Sequence, residues 1–217
     1  EAVVASSDEV FWPFSPQLVG AELWLMSQAD ATVHRLDPQT LAEEQVIDLG
    51  FGPNGLLSFG SIAVDDDVVW FAESQHDVVV RPDRGSGEEL GRTELGGPAI
   101  TDPDAIGQLQ VLADEEGGAL VVRSNDARVQ RIDSQGGLTT VSLGEDVAAE
   151  LAIGNHVDFA VLHDGLLFVG GRALDADTLE RRADRDLDVH MVLGPIRRTP
   201  RSCWRSRRTS SASCGST

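Results

Sequence analysis

The sequence predicts an all-β fold, and a long internal repeat carries that prediction. Four units each close on a Leu-Gly pair, and the pairs begin at Leu49, Leu95, Leu143 and Leu193, at spacings of 46, 48 and 50 residues. Within each unit, short apolar runs alternate with the residues of tight turns. Repeats of this length are typical of propellers and solenoids. We therefore expect a β-propeller of four consecutive four-stranded antiparallel blades, arranged as an incomplete ring.

The second strand of each unit is short and rich in aliphatic and aromatic residues. It follows a first strand across a polar hairpin, as Val68 to Ala72 follows Ile62 to Val64. Its register relative to the turns predicts one equivalent buried position in all four units, occupied by Trp24, Trp70, Val121 and Phe168.

An Asp-led turn ends the third strand. Asp37, Asp83 and Asp133 are followed by Pro38 or by glycines, whose backbone angles suit a tight turn. An Asp side chain in such a turn accepts a hydrogen bond from the backbone two residues on. Helical character is confined to 146–153, in a linker between units.

The fourth unit departs from this pattern. Only seven residues separate Phe168 from Asp175, where Trp24 and Asp37 are 13 apart. This spacing predicts too little chain for a full second hairpin. We expect the longer, mixed-charge segment 180–188 to be a solvated loop.

These signals divide the chain into a lead-in, an array of blades and a tail. We expect a lead-in over 1–16 and blades over 17–194, at about 17–50, 61–96, 109–144 and 157–194. The segment 195–217 has six arginines, six serines and both cysteines, but no new apolar strand. We expect this basic tail to be disordered. Its abrupt composition favours out-of-frame or truncated coding sequence over a basic arm that binds nucleic acid or an acidic protein.

The charge is divided between an acidic body and the basic tail. All 36 acidic residues lie at or before Asp188, and only 11 of the 17 arginines lie within the first 194 residues. Such a body repels phosphate backbones, so we expect no nucleic-acid binding by the main domain. Solubility is the simplest interpretation of the acid excess, and a surface for cations or a basic partner is the alternative.

No apolar stretch reaches the length of a membrane-spanning helix, so we expect no contact with a membrane. The chain begins at Glu1, which fits a processed product or a piece of something longer. We favour a secreted or periplasmic location over a cytoplasmic one.

Two segments resemble known propeller families. The unit from Leu23 to Gly50 resembles blades of the YVTN and NHL-type propellers, whose third strand ends in Ile-Asp-Pro-x-Thr; here Leu36 to Thr40 read Leu-Asp-Pro-Gln-Thr. The segment from Trp70 to Ser74 resembles the Trp-Phe-Thr-Glu strand repeated in streptogramin lyases. The first resemblance covers about 17–194 and implies a propeller fold.

Three of the five histidines are candidates for ligand contacts. His76 and His163 lie in predicted hairpins and His156 in a linker between blades, where propellers commonly place such contacts. His34 and His190 are interpreted as half-exposed strand residues. No pair of histidines has the spacing of a metal site such as H-x-x-x-H. The sequence therefore predicts no cofactor and identifies no catalytic residue.

Asp65, Asp66 and Asp67 are the candidates for binding a cation, because adjacent carboxylates supply the oxygen ligands that calcium prefers. They lack the alternating D-x-D-x-D-G register of a calcium loop. A solvated hairpin is therefore the favoured interpretation.

Two functions remain open. The first is a non-enzymatic binding or scaffold module that offers its loops to a protein or a small ligand. The second is a propeller enzyme of the lyase or hydrolase type, with histidine and carboxylates at the central funnel. An enzyme requires these side chains to converge within hydrogen-bond reach at one opening.

Overall fold

The structure is a computed structural model that describes residues 13–27, 30–51, 60–97, 109–114, 116–145, 147, 151 and 160–183. In these residues the chain forms fifteen β-strands in four antiparallel sheets. Each sheet is a meander, so strands that follow one another in sequence pair with one another. We number the sheets blade 1 to blade 4 in chain order.

Three blades have four described strands and blade 4 has three. Blade 1 contains β1 (Pro13–Val19), β2 (Glu22–Ser27), β3 (Thr32–Leu36) and β4 (Glu43–Asp48). Blade 2 contains β5 (Ser61–Val64), β6 (Val69–Glu73), β7 (Val78–Pro82) and β8 (Glu89–Glu94). Blade 3 contains β9 (Leu109–Ala113), β10 (Ala119–Arg123), β11 (Arg128–Ile132) and β12 (Leu138–Ser142). Blade 4 contains β13 (Ala160–His163), β14 (Leu166–Val169) and β15 (Arg172–Asp175).

The blades pack face to face through three apolar clusters, each between consecutive blades. Large members are Trp24, Met26 and Phe71 between blades 1 and 2, Trp70 and Val111 between blades 2 and 3, and Leu120 and Leu167 between blades 3 and 4. Middle strands are covered on both faces, and all five residues of β6 are buried. This explains why the second strands read as continuous apolar runs. The chain is an arc of a β-propeller, and the predicted fold is confirmed.

The first strands of consecutive blades contact one another and line the inner side of the arc. Polar side chains join them: the Ser61 hydroxyl accepts from the Val111 amide at 2.7 Å. The Gln110 side chain accepts from the Ala160 amide at 2.7 Å and donates to the Ala160 carbonyl at 2.9 Å. Gln17 accepts from the backbone of blade 2 in the same way. These bonds satisfy backbone groups that would otherwise be buried without a partner.

The register of blade 3 differs by one residue from the sequence prediction. In blade 1, Trp24 pairs with Arg35, which lies two residues before Asp37. In blade 3, the residue two positions before Asp133 is Arg131, and it pairs with Leu120 rather than with Val121. Leu120 packs toward the following blade, as Trp24 does, and Val121 packs toward the preceding one. The equivalence proposed for Val121 is therefore wrong, because a slip of one residue moves a strand side chain to the opposite face.

Trp24, Trp70 and Phe168 hold equivalent positions as predicted, but the predicted burial holds only for the two tryptophans. Trp24 and Trp70 are buried in β2 and β6. Phe168 pairs with Ala173, two residues before Asp175, so it holds the same position in blade 4. Unlike its counterparts, Phe168 is only half-buried.

Blade 4 does form a second hairpin, contrary to the expectation from its short spacing. Gly170 and Gly171 connect β14 to β15 with φ of 51° and 71°. Glycine adopts this left-handed backbone without a steric penalty, so two residues replace the four-residue loops of the other blades. The start of the following segment is also not a free loop, because Arg181 forms a bridge with Leu174.

The repeated Leu-Gly pair has a structural cause. Leu49, Leu95 and Leu143 are buried at the end of each blade. Their carbonyls accept hydrogen bonds from side chains of the following blade, which are Arg92 at 3.1 Å, Gln130 at 2.7 Å and Arg172. The glycine after each leucine has φ between 66° and 96°, which other residues rarely adopt. Leu193 lies outside the described residues.

The Asp-led turns form as predicted. The carboxylates of Asp37, Asp83, Asp133 and Asp175 each accept from the backbone amide two residues on, at 2.9 to 3.2 Å. In the first, second and fourth of these turns the carboxylate also accepts from a Ser or Thr three residues on. The hydrogen bond from the backbone amide of this Ser or Thr is the chief cause that lowers the pKa of Asp37, Asp83 and Asp175. The donors are Thr40, Ser86 and Thr178.

The structure describes the start of blade 1 and part of the linker before blade 4. Strand β1 begins at Pro13, four residues before the expected start of blade 1. In the linker before blade 4, Val147 and Leu151 are helical and buried, in the segment where helical character was expected. The tail 195–217 lies outside the described residues.

In the described part of the chain, no helix has the length and apolar character needed to span a membrane.

Candidate functional site

Antiparallel meanders place the connections of each blade at two opposite edges. The linker edge carries the loops between second and third strands, of which 30–31, 74–77, 124–127 and 170–171 are described, together with the ends of β4, β8 and β12. The hairpin edge carries the first hairpins, at 20–21, 65–68, 114–118 and 164–165, together with the Asp-led turns. Equivalent loops of neighbouring blades therefore lie side by side at each edge.

An arginine of blade 2 joins blades 1 and 2 at the hairpin edge. Arg84 donates to the Glu22 carboxylate at 2.5 Å and to the Asp65 carbonyl at 3.0 Å. Its guanidinium also lies 5.9 Å from the ring of Trp24, within the range of a cation–π contact. The hydrogen bond from Arg84 lowers the pKa of Glu22.

Two third-strand arginines extend the same kind of contact along the arc. Arg81 of blade 2 donates to the Ser134 carbonyl in blade 3 at 2.7 Å. Arg131 of blade 3 lies 3.7 Å from the Asp177 carboxylate in blade 4. The charged groups of the hairpin edge thus hold consecutive blades together.

The candidate cation ligands lie in the β5–β6 hairpin of this edge. Asp65 is half-buried, whereas Asp66 and Asp67 are exposed. The Asp65 carboxylate accepts from the Asp66 amide at 2.7 Å, and Arg84 donates to the carbonyls of both residues. Within the described ranges, no three histidine, cysteine or acidic side chains are grouped so that they could hold a metal ion.

The linker edge contains buried charged side chains from two blades. Arg123, at the end of β10, is 1% exposed and forms an ion pair with Asp77 in the loop of blade 2. Asp126, in the loop of blade 3, lies 3.6 Å from the Arg123 guanidinium. Asp77 also accepts from the Gly97 amide. Buried charges require such partners, because removal from water disfavours an isolated ion.

The backbone of the blade 2 loop explains how Asp77 reaches Arg123. Asp77 has φ of 57°, and Ala31 and Ala127 hold the same place in blades 1 and 3 with φ of 55° and 48°. The last residue of each of these loops therefore adopts the same left-handed backbone conformation. Only blade 2 places a carboxylate there. Since alanine suffices in two loops, the fold itself does not require the charge.

His76 is the predicted ligand candidate that lies at this edge. Its side chain is 47% exposed, and Nδ1 lies 2.8 Å from a carboxylate oxygen of the buried Glu73. Glu73 also accepts from the backbone amides of Gln75 at 3.0 Å and His76 at 2.6 Å. The imidazole stacks on Phe51, with ring centroids 5.1 Å apart. In the tautomer with the proton on Nδ1, His76 donates to Glu73 and Nε2 carries no proton.

Ser74 adds a polar atom without a partner to the same loop. Its hydroxyl is buried, and none of the residues that the structure describes makes a hydrogen bond with it. Buried polar atoms without a described partner also occur elsewhere in the fold, at Trp70 and Arg131 for example.

The other two described histidines, His163 and His34, are not brought to this site. His163 is 70% exposed in the first hairpin of blade 4, at the opposite edge. His34 is buried rather than half-exposed, because its ring lies between Glu43 and Thr32 at 2.7 Å from each. His156 and His190 lie outside the described residues.

Sequence reasoning missed Asp77 and Arg123 as members of one cluster. A signal for Arg123 exists, since it is a lone arginine that ends the apolar run of β10. Its partner is 46 residues away in another blade, so the pairing was not visible in the sequence.

Comparison with known proteins supports the fold and no narrower assignment. No protein-family model matches the sequence, and a search of curated proteins finds no match. Solved β-propeller structures are similar at low identity. A chain of the mitotic checkpoint complex has a TM-score of 0.54 at 13% identity, with 81% of this chain and 51% of that chain covered.

Two bacterial structures give similar values. The extracellular domain of BT4673 from B. thetaiotaomicron has a TM-score of 0.51 at 16% identity, with 79% of this chain and 23% of that chain covered. Virginiamycin B lyase from Staphylococcus aureus has a TM-score of 0.49 at 16% identity, with 61% and 42% covered. The chain thus spans about two fifths of the lyase. Likenesses at these identities show the fold alone.

Proposed function

We propose that the chain is a β-propeller binding module whose linker edge takes a protein segment or a small polar ligand. The observation that carries the proposal is the buried ion pair of Asp77 and Arg123, with the buried Glu73 at the start of the blade 2 connection that contains Asp77. Ser74 in that connection has a buried hydroxyl for which the described part of the chain offers no hydrogen-bond partner.

Stability alone is a poor explanation for this ion pair. Replacing a buried ion pair by apolar residues of similar volume is often neutral or stabilising. Blade 1 supports this view. Ala31 holds the place of Asp77 in its loop, and its second strand ends in Ser27, whereas that of blade 3 ends in Arg123. A preformed polar site on a rigid scaffold is what ligand recognition requires.

A screen with a defined panel tests the proposal. Acidic, basic and neutral octapeptides and small polar metabolites are added in a thermal-shift assay. A ligand that raises the melting temperature should slow hydrogen exchange in 74–77 and 124–127. Ser74→Ala and His76→Ala should weaken that ligand, whereas His163→Ala, an exposed histidine at the opposite edge, should not. Protection confined to the hairpin edge contradicts the proposal.

A second candidate function rests on one distance. His76 and Glu73 lie 2.8 Å apart at the linker edge, which is the histidine–carboxylate convergence that an acid–base enzyme needs. Glu73 also ends the segment Trp70 to Glu73, whose sequence resembles the repeated strand of streptogramin lyases.

The test of the second candidate uses the compound bound to the S. aureus lyase, quinupristin. The chain is incubated with quinupristin and the products are separated by liquid chromatography. Conversion that is lost in both His76→Ala and Glu73→Gln supports the enzyme. Conversion that persists in those variants, or none by the unchanged chain, leaves the binding module as the proposal.

The likeness of Leu36 to Thr40 supports placement among the YVTN and NHL-type propellers. We further propose that blades occupy 17–194 and that 195–217 lies outside the fold. Limited proteolysis tests these limits, since cleavage of the tail should leave a fragment with an unchanged melting temperature.

A further inference from the structure

The outer strand of blade 3 differs from the outer strands of blades 1 and 2. β4 and β8 carry charged side chains, which are Glu43, Glu44 and Asp48 in the first and Glu89, Arg92 and Glu94 in the second. Each of these two strands also has a register shift, of the kind that a β-bulge produces, where it pairs with the third strand of its blade. β12 reads Leu-Thr-Thr-Val-Ser, so it contains no charge, proline or glycine, and its five pairs with β11 are regular.

Charges and bulges are the usual protection of an edge strand, because they prevent another chain from adding to its unpaired backbone groups. β4 and β8 have both kinds of protection, and β12 has neither. Its composition also favours strand addition, since Thr139, Thr140 and Val141 are β-branched. Among the described strands β12 pairs with β11 alone, and four of its five residues are exposed. The outer edge of β12 is therefore open to another strand.

The pairing with β11 shows which backbone groups of β12 point to this open edge. The Leu143 amide donates to the Ala127 carbonyl at 2.9 Å, and the Asp133 amide donates to the Gly137 carbonyl at 2.9 Å. In an antiparallel pair, positions that bond the partner strand alternate with positions whose N–H and C=O groups point away from it. Both bonds thus direct the odd-numbered residues of β12 toward β11.

The even-numbered residues Leu138, Thr140 and Ser142 direct their N–H and C=O groups to the open edge. A strand that adds antiparallel to β12 can form a pair of backbone hydrogen bonds with each of them. Leu138 is 40% exposed and offers an apolar contact at one end of this row. Such main-chain bonds are the source of affinity when an extended peptide adds to a sheet edge.

The charge of the chain determines which extended segment fits this edge. The first 194 residues contain 36 acidic residues and 11 arginines, and the exposed Glu145 lies just beyond β12. A basic segment is attracted to such a body, whereas an acidic segment or a second copy of this acidic chain is repelled.

We propose that β12 binds an extended, basic segment of another protein as a fifth strand of blade 3. The proposal goes beyond the function proposed for the linker edge, because it uses the backbone of an outer strand and none of the charged side chains of that site.

Two labelled heptapeptides test the proposal on the 217-residue chain. Both alternate threonine and valine; one has an arginine at each end and the other a glutamate. In fluorescence anisotropy, the arginine peptide should bind at least about tenfold more tightly, by a margin that shrinks as salt is added. Hydrogen exchange followed by nuclear magnetic resonance should slow at the amides of Leu138, Thr140 and Ser142. The amides of Thr139 and Val141 should not change, because they already bond β11.

Thr140→Pro removes one donor from the open edge and leaves the ladder with β11 intact, since the Thr140 amide does not bond that strand. Affinity for the arginine peptide should fall at least about fivefold. Glu94→Pro is the matched control. The bond from the Leu95 amide to the Asp77 carbonyl places the Glu94 amide on the open edge of β8 by the same alternation, so this variant should bind the peptide unchanged.

The double variant Leu138→Arg and Ser142→Arg changes side chains alone and should also weaken binding, because it gives β12 charges that repel the arginine peptide. Circular dichroism shows whether each variant remains folded. No binding of the arginine peptide, exchange slowed equally in β4 and β8, or unchanged affinity of folded Thr140→Pro would overturn the proposal. A two-chain mass in light scattering that this double variant abolishes would assign the edge to a second copy and overturn it as well.

Discussion

Replacing Asp77 by alanine should destabilise the propeller by removing the main partner of a buried charge. The backbone should be unaffected, because Ala31 and Ala127 adopt the same left-handed conformation in the neighbouring loops. What changes is Arg123, which is 1% exposed and loses its paired carboxylate. Desolvation of the guanidinium then lacks most of its compensation.

The expected cost is at the lower end of the known range. Breaking a buried ion pair by removing one partner costs about 3–5 kcal/mol. Asp126 remains 3.6 Å from the Arg123 guanidinium and offsets part of the loss. We therefore expect a decrease of about 3 kcal/mol in the free energy of unfolding, which lowers the melting temperature by roughly 6–12 °C.

Urea denaturation followed by tryptophan fluorescence measures this change. The double variant Asp77→Ala and Arg123→Met should recover most of the lost stability, because no charge stays buried. Asp164→Ala is the control, since Asp164 has φ of 50° but is exposed, and its ion pair with His163 is exposed as well. A cost below about 1 kcal/mol for Asp77→Ala, or a double variant no more stable than the single one, would refute the reasoning.

Three further outcomes are expected. Trp70→Ala should cost about 3–5 kcal/mol in a urea melt through the cavity it leaves, whereas Leu90→Ala, at a half-exposed position, should cost no more than about 0.5 kcal/mol. The pKa of Asp83 is lowered from 3.8, so its contribution to stability is present above that value and is lost as the pH falls through the lower, folded value. Asp83→Asn should therefore flatten the acid side of the stability profile, and an unchanged acid side would contradict this. Calcium should not shift the melting temperature measured against a chelator, and a rise that is abolished by Asp65→Asn with Asp67→Asn would overturn the interpretation of that hairpin.

Much of the fold could be predicted because its signals are local. In the first three blades the Leu-Gly pairs recur since each blade buries a leucine and then turns through a left-handed residue, which glycine allows. The Asp-led turns are equally local, because the carboxylate of Asp37 bonds the backbone two and three residues on. The apolar second strands follow from burial on both faces. Such requirements recur in every blade and are visible in one chain.

The error in the register of blade 3 arose because both faces of its second strand are apolar. Leu120 and Val121 are equally buried, so hydrophobicity alone could not decide which of them faces the following blade. Pairing with β11 decided it. The short connection in blade 4 was misjudged because Gly170 and Gly171 permit a two-residue turn, whereas the spacing in the other blades suggested a longer loop.

The sequence by itself determined the repeat, the order of strands within a blade and the turns, because these depend on residues close together in the chain. Only the tertiary structure decided the candidate site. Arg123 and Asp77 meet because consecutive blades stack and bring equivalent loops to one edge. His34 is buried, whereas His163 is exposed at the edge opposite His76. Contacts between blades depend on sheet packing over 40 residues or more of chain, and no local pattern encodes which side chains will face one another there.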